Sequence, residues 1–98
     1  MSQKLNHTKI IATIGPSSSS KEAIKDLMTA GVNVFRLNFS HGTHEQHKSA
    51  ISIIREVSSE TGINVAIMAD LQGPKIRVGK IEENTELKEG KIVEISTK

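Results

Sequence analysis

The sequence predicts an α/β chain built on a parallel sheet and followed by a β-rich stretch. Three observations carry that reading. Short β-branched runs alternate with helix-length amphipathic segments, both helical segments open on a serine or threonine capping pattern, and after Asp70 the helical periodicity stops. At 98 residues the chain holds at most one small domain.

The first strand is expected over Lys9-Ile-Ile-Ala-Thr-Ile14, closed by Gly15-Pro16. In Ser19-Ser-Lys-Glu22 the Ser19 hydroxyl is placed to accept from the Glu22 amide, which predicts a helix start there. Ile24, Leu27 and Met28 share one face of that helix, and Gly31 stands where a left-handed glycine ends it. A second strand is expected over Val32 to Ser40. Its alternation puts Phe35, Leu37 and Phe39 on one face and Val34, Arg36, Asn38 and Ser40 on the other, an unusual polar row for a strand between two crossovers. Thr43-His-Glu-Gln46 is a second capping box, opening a helix with Ala50, Ile51, Ile54 and Val57 as its stripe and Gly62 as its stop. Asn64 to Asp70 is a third strand, apolar until it ends in a carboxylate. Beyond Gly73-Pro74, Ile76 to Ile81 and Ile92 to Thr97 read as short strands, with turns at Glu82-Glu-Asn84 and Lys88-Glu-Gly90.

Composition narrows the function classes. Phe35 and Phe39 are the whole aromatic complement and the net charge is +2, which disfavours a nucleic-acid surface with stacking platforms. There is no cysteine, so disulfides and Cys-based zinc sites are excluded. The longest apolar run near the start, Ile10 to Ile14, is too short to span a bilayer, and no signal-type segment precedes it; a cytoplasmic protein with no membrane partner is expected.

Ligands of parallel sheets gather at the carboxyl ends of the strands, where Thr13-Ile-Gly-Pro16, Arg36 to His41, Asp70 and Lys75-Ile-Arg77 converge. Arg36 and Arg77 offer forked donors for phosphate or carboxylate oxygens, and Lys75 adds a point charge. Asn38, Ser40 and Asp70 offer hard oxygen ligands for a cation. The simpler alternative is that Asp70 only pairs with Lys75 or Arg77. The spacing of His41, His44 and His47 matches no zinc signature, so His44 and His47 read as solvent-facing and His41 as a residue that touches a phosphate at the strand end.

Three segments, Lys9-Ile-Ile-Ala-Thr-Ile-Gly-Pro-Ser17, Gly31-Val-Asn-Val-Phe-Arg-Leu-Asn-Phe-Ser-His-Gly42 and Ala69-Asp-Leu-Gln-Gly-Pro-Lys-Ile-Arg77, closely resemble the N-terminal region of the pyruvate kinase family. The resemblance implies the first three β/α units of a (β/α)8 TIM barrel over residues 1–75, and over 76–98 the start of an inserted small β-barrel domain. It implies transfer of a phosphoryl group from phosphoenolpyruvate to ADP, giving pyruvate and ATP in glycolysis, by a homotetramer. Arg36 would then contact the phosphate of phosphoenolpyruvate, and Asn38, Phe39, Ser40, His41 and Arg77 would lie against ADP/ATP. Asn38, Ser40, Asp70 and the carbonyl of Leu71 correspond to potassium ligands. The family's catalytic lysine and its Mg²⁺ carboxylates fall beyond Lys98, so these 98 residues alone are expected to be inactive.

One departure matters. Potassium-activated members carry Asp-Thr-Lys-Gly-Pro-Glu-Ile-Arg, whereas this chain has Leu71 for the threonine and Lys75 for the glutamate. The Lys75 ammonium is therefore expected to replace the potassium ion. Two other readings stay open: a non-catalytic βαβαβ module that binds a phosphometabolite or a partner, and a different phosphate-binding barrel enzyme.

Overall fold

Ile11–Thr13 forms strand β1 of a computed structural model that describes residues 6–97. The outermost positions of the two expected segments, 1–5 and 98, lie outside the described residues. Ladder bonding runs past the ends of β1. Val34 N donates to Ile10 O at 3.1 Å and Ile14 N to Arg36 O at 3.0 Å, so pairing covers most of the expected run.

The serines after β1 divide the work. Gly15 N donates to Ser18 Oγ at 2.9 Å and Ser18 N to Gly15 O at 3.0 Å, which closes the Gly15-Pro16 turn. Helix α1 then begins one residue later than the sequence predicts, spanning Lys21–Ala30 with Ser20 as its N-cap. Ser20 Oγ accepts from Ala23 N at 3.1 Å. Glu22 therefore falls in the first turn rather than at the third helical position, and alanine at that position cannot return a side-chain bond as a capping box requires. Gly31 ends α1 at φ 116, with its N–H directed at the Leu27 and Met28 carbonyls.

Strand β2 is Val34–Asn38, helix α2 is His44–Thr61 and strand β3 is Ala66–Asp70. Both halves of the capping box at α2 are present: Gln46 N donates to Thr43 Oγ1 at 3.2 Å, and Thr43 N to Gln46 Oε1 at 2.9 Å. Replacing Thr43 with alanine is expected to lower stability by about 1 kcal/mol. Denaturant unfolding of the full-length protein checks that value, and an unchanged midpoint would contradict it.

The sheet is parallel in the order β1-β2-β3, with Thr13 opposite Arg36, Arg36 opposite Met68, and Asn38 opposite Asp70. One face packs on the helices. Phe35 from β2, Ile24 and Met28 from α1 and Ile54 and Val57 from α2 form the buried cluster, joined by Val32 and Ile63 from the loops. Among the described residues no polar or charged side chain is buried, so this core is held by apolar contact alone. On the outside Lys21 bridges Glu56 at 3.0 Å and Glu60 at 2.9 Å, tying α1 to α2. Those carboxylates, Glu60 first, raise the Lys21 ammonium above its ordinary pKa. The pair is solvent-exposed and adds little to stability.

The opposite face of the sheet is open. Ile11 is 53% exposed and Met68 40%, in a parallel sheet whose two faces are normally both covered. Its rows change character along the strands. Ile11, Val34 and Ala66 form an apolar row; Thr13, Arg36 and Met68 follow; Asn38 and Asp70 end the face in polar groups at the carboxyl ends.

Residues 71–97 hold no strand or helix. The expected turns are there, at Glu83-Asn84 and Glu89-Gly90, but the flanking runs Ile76 to Ile81 and Ile92 to Thr97 do not pair. A strand exists only through its ladder, and a lone two-stranded hairpin is marginal in water. Ile76 and Ile92 are fully exposed, so neither side chain gains apolar contact in place of the missing ladder. The extended stretch raises the radius of gyration to 18.7 Å, against about 13 Å for a compact chain of this length.

Candidate active site

Arg36 occupies the middle of the central strand on the open face, and its guanidinium joins all three strands. Nε donates to Asp70 Oδ2 at 3.0 Å, Nη2 donates to the same oxygen, and Nη1 donates to Thr13 Oγ1 at 3.2 Å. The parallel register makes this possible: Thr13 is the direct neighbour of Arg36, and Asp70 stands one same-face step further along β3. The ion pair is partly open, with 30% and 47% of the two side chains exposed. Its worth to folding is therefore about 1 kcal/mol or less, and its main effect is to hold the guanidinium fork in one orientation.

The loop after β2 is tied down at each residue. Phe39 N donates to Asp70 O at 3.0 Å, carrying β2–β3 bonding one residue past the strand. Asn38 Oδ1 accepts from Ser40 N at 3.1 Å and from Ser40 Oγ, a local turn that asparagine favours. His41 N donates to Asn38 O at 3.2 Å. Gly42 has φ 77, a left-handed backbone, and a Cβ there would stand 2.9 Å from Gln46 Oε1. Between this loop, the first turns of α2 and the end of β1 lies an open cleft of about 960 Å³, lined by Thr13, Gly15, Pro16, Asn38, His41 and His47 among others.

The structure sets Arg36 beside Asp70 and Asn38 beside Ser40 and His41 at the strand ends, but it does not gather every predicted residue. Asp70 pairs with Arg36, not with Lys75 or Arg77. Lys75, Arg77 and Leu71 lie on the exposed stretch, and neither Lys75 nor Arg77 shares a hydrogen bond or ion pair with Arg36, Asn38 or Asp70. His47 departs from its expected solvent-facing place. Its ring stacks on Phe39, centroids 4.3 Å apart, and Nε2 donates to His41 O at 2.8 Å. The signal was in the capping box: His47 is the fourth residue of α2, the position from which a side chain reaches back over the entering loop. Phe39 is accordingly half-buried against His47, while Phe35 and Leu37 alone of their alternating face enter the core.

The description "Pyruvate kinase, barrel domain" belongs to a family profile that matches residues 5–98. The chain belongs to the pyruvate kinase family. It is 56% identical over 73 residues to "Pyruvate kinase 2" of Synechocystis sp., a stretch covering 74% of this chain and 12% of that protein. It is 52% identical over 90 residues to a pyruvate kinase of Geobacillus stearothermophilus, covering 91% of this chain and 15% of the relative. A pyruvate kinase of Chlamydia muridarum is 45% identical over 91 residues, covering 93% and 19%. The chain thus spans between 12% and 19% of the length of these relatives. The match takes in β1, β2, β3 and the strand-end residues, so Arg36, Asn38 and Asp70 all lie in the pyruvate kinase region.

Among the described residues no group of three His, Cys, Asp or Glu side chains could hold a metal, and no helix is long and apolar enough to cross a membrane.

Proposed function

We propose that this chain is the opening part of a cytoplasmic, homotetrameric pyruvate kinase that moves the phosphoryl group of phosphoenolpyruvate to ADP. The observation that carries the reading is the Arg36 fork, anchored to Thr13 and Asp70 at the carboxyl ends of three adjacent parallel strands. The open sheet face becomes the inner wall of a (β/α)8 barrel, of which residues 1–75 contribute the first three β/α units. Its row-by-row change from apolar to polar supports this: the apolar rows fill the interior and the polar ends open on the mouth. Residues 76–98 begin the inserted β-domain, and their unpaired runs gain ladder partners there.

In this reading Arg36 binds the phosphate of phosphoenolpyruvate, sharing its fork between the phosphate and Asp70. Transfer between two anions needs fixed positive charge around the moving group, and a guanidinium already oriented by Asp70 and Thr13 supplies it without reorganisation. Asn38 and His41 line the cleft that takes ADP/ATP in this reading, with Phe39 and Ser40 between them in the same loop, and Arg77 reaches the nucleotide phosphates once the stretch after Asp70 is seated. The Mg²⁺ that the family uses would supply charge neutralisation at the phosphate oxygens, and no residue of this site would hold it. The hard oxygens of Asn38, Ser40 and Asp70, with the Leu71 carbonyl, fit a monovalent cation in donor chemistry. Both Asn38 Oδ1 and Asp70 Oδ2 already have internal donors, however, and Lys75 follows close behind in sequence. Once the stretch after Asp70 is seated, the Lys75 ammonium supplies the positive charge in place of the ion.

The test is pyruvate formation by the full-length protein in buffer free of potassium and ammonium, for wild type and Lys75→Glu. The wild type is expected to turn over without added ion, and the variant to become potassium-activated by about tenfold or more, as reversing a charge beside Asp70 implies. Strong potassium activation of the wild type overturns the role of Lys75. Absence of pyruvate under every ionic condition overturns the reading itself and favours a non-catalytic binding module.

A further inference from the structure

His47 is the one residue of α2 that reaches the strand-end loop through both a ring face and a hydrogen bond, and neither contact belongs to the helix's own core face. Ala50, Ile54 and Val57 carry that face. The acceptor at His41 is a carbonyl, so Nε2 carries the hydrogen of this bond. Phe39 and His41 flank Ser40, and clamping both adds side-chain contacts from α2 to a loop otherwise tied by Phe39 N to Asp70 O, by His41 N to Asn38 O and by the two bonds from Ser40 to Asn38 Oδ1. Gly42 completes the device: a Cβ there would lie 3.3 Å from His47 Nε2 as well as against Gln46.

We propose that His47 is a positioning residue for the nucleotide, clamping Phe39 and the His41 carbonyl so that the β2–α2 loop presents a preformed wall to the cleft. The inference rests on the reading of that cleft as the ADP site. A group acting only on the nucleotide wall alters ADP binding and leaves phosphoenolpyruvate, which meets Arg36 on the sheet face, unaffected. A merely structural role would shift both substrates together with the melting temperature.

The experiment is calorimetric titration of ADP into the full-length protein, beside steady-state kinetics, for wild type, His47→Phe and His47→Gln. Phenylalanine keeps the stack and removes the donor; glutamine keeps a donor at similar reach and removes the ring. His47→Phe is expected to weaken ADP binding about fivefold, the worth of one net hydrogen bond, with the KM for phosphoenolpyruvate within about twofold of wild type. His47→Gln is expected to lie between wild type and His47→Phe. Unchanged ADP affinity in both variants overturns the inference, as does an equal rise in both KM values. If the wild type itself binds no ADP, the inference falls together with the reading of the cleft. If the wild type binds ADP yet forms no pyruvate, the catalytic reading alone fails and the titration still decides the role of His47.

Discussion

Arg36→Lys in the full-length enzyme is expected to lower kcat/KM for phosphoenolpyruvate by roughly 10²–10³-fold, about 2–4 kcal/mol of transition-state stabilisation, while the melting temperature barely moves. The asymmetry follows from what the guanidinium does. Three of its nitrogens are directed, two to Asp70 Oδ2 and one to Thr13 Oγ1, so its plane is fixed before any substrate arrives. An ammonium preserves the charge but offers a single nitrogen that cannot bond Asp70, Thr13 and a phosphate in one plane. Folding loses little because the ion pair is partly exposed and the core lies on the other face of the sheet. Kinetics and a thermal melt on the same preparation check both halves. Unchanged kcat/KM removes Arg36 from the site, and a collapse in stability makes it a structural residue.

The second large effect concerns residues 1–98 alone, which are expected to self-associate or to melt without a cooperative transition. Among the described residues β1 and β3 each have one neighbour only, leaving an unpaired backbone edge on each side of the sheet. The face opposite the helices exposes Ile11 and Met68, and the stretch after Asp70 exposes Ile76, Val78, Ile92 and Ile95. The helix-side cluster around Phe35 and Ile54 is well buried, but it covers a single face. Sedimentation velocity and a calorimetric scan of the purified segment test this. A monodisperse monomer with a sharp melt would contradict it and show that one covered face suffices.

The parts of the fold that were legible in the sequence are those fixed by local chemistry. Thr43 and Gln46 specify their own reciprocal bonds, Gly31 and Gly62 mark the left-handed ends of the two helices, and Phe35 and Leu37 separate from Arg36 and Asn38 by the period of a strand. Where several residues compete for one local task, the sequence underdetermines the outcome. Ser18, Ser19 and Ser20 all carry a capping hydroxyl; the Gly15 turn takes Ser18, Ser19 Oγ donates to Pro16 O at 3.5 Å, and Ser20 caps the helix. Partners across strands are hidden for a different reason. Asp70 is five residues from Lys75 and 34 from Arg36, yet the parallel register sets it beside Arg36. The runs after Gly73 carry the residue types of strands, but a strand needs a ladder as well as residue types, and among the described residues neither run pairs.

The central claim is that Arg36 and its neighbours serve transfer of a phosphoryl group from one anion to another. Its most direct test follows the group itself: phosphoenolpyruvate radiolabelled in its phosphate, incubated with ADP and the full-length protein, with the products separated. The account predicts label in the terminal phosphate of ATP in step with pyruvate release, and its loss in Arg36→Lys. Label that stays in phosphoenolpyruvate, or appears only as inorganic phosphate, would contradict it.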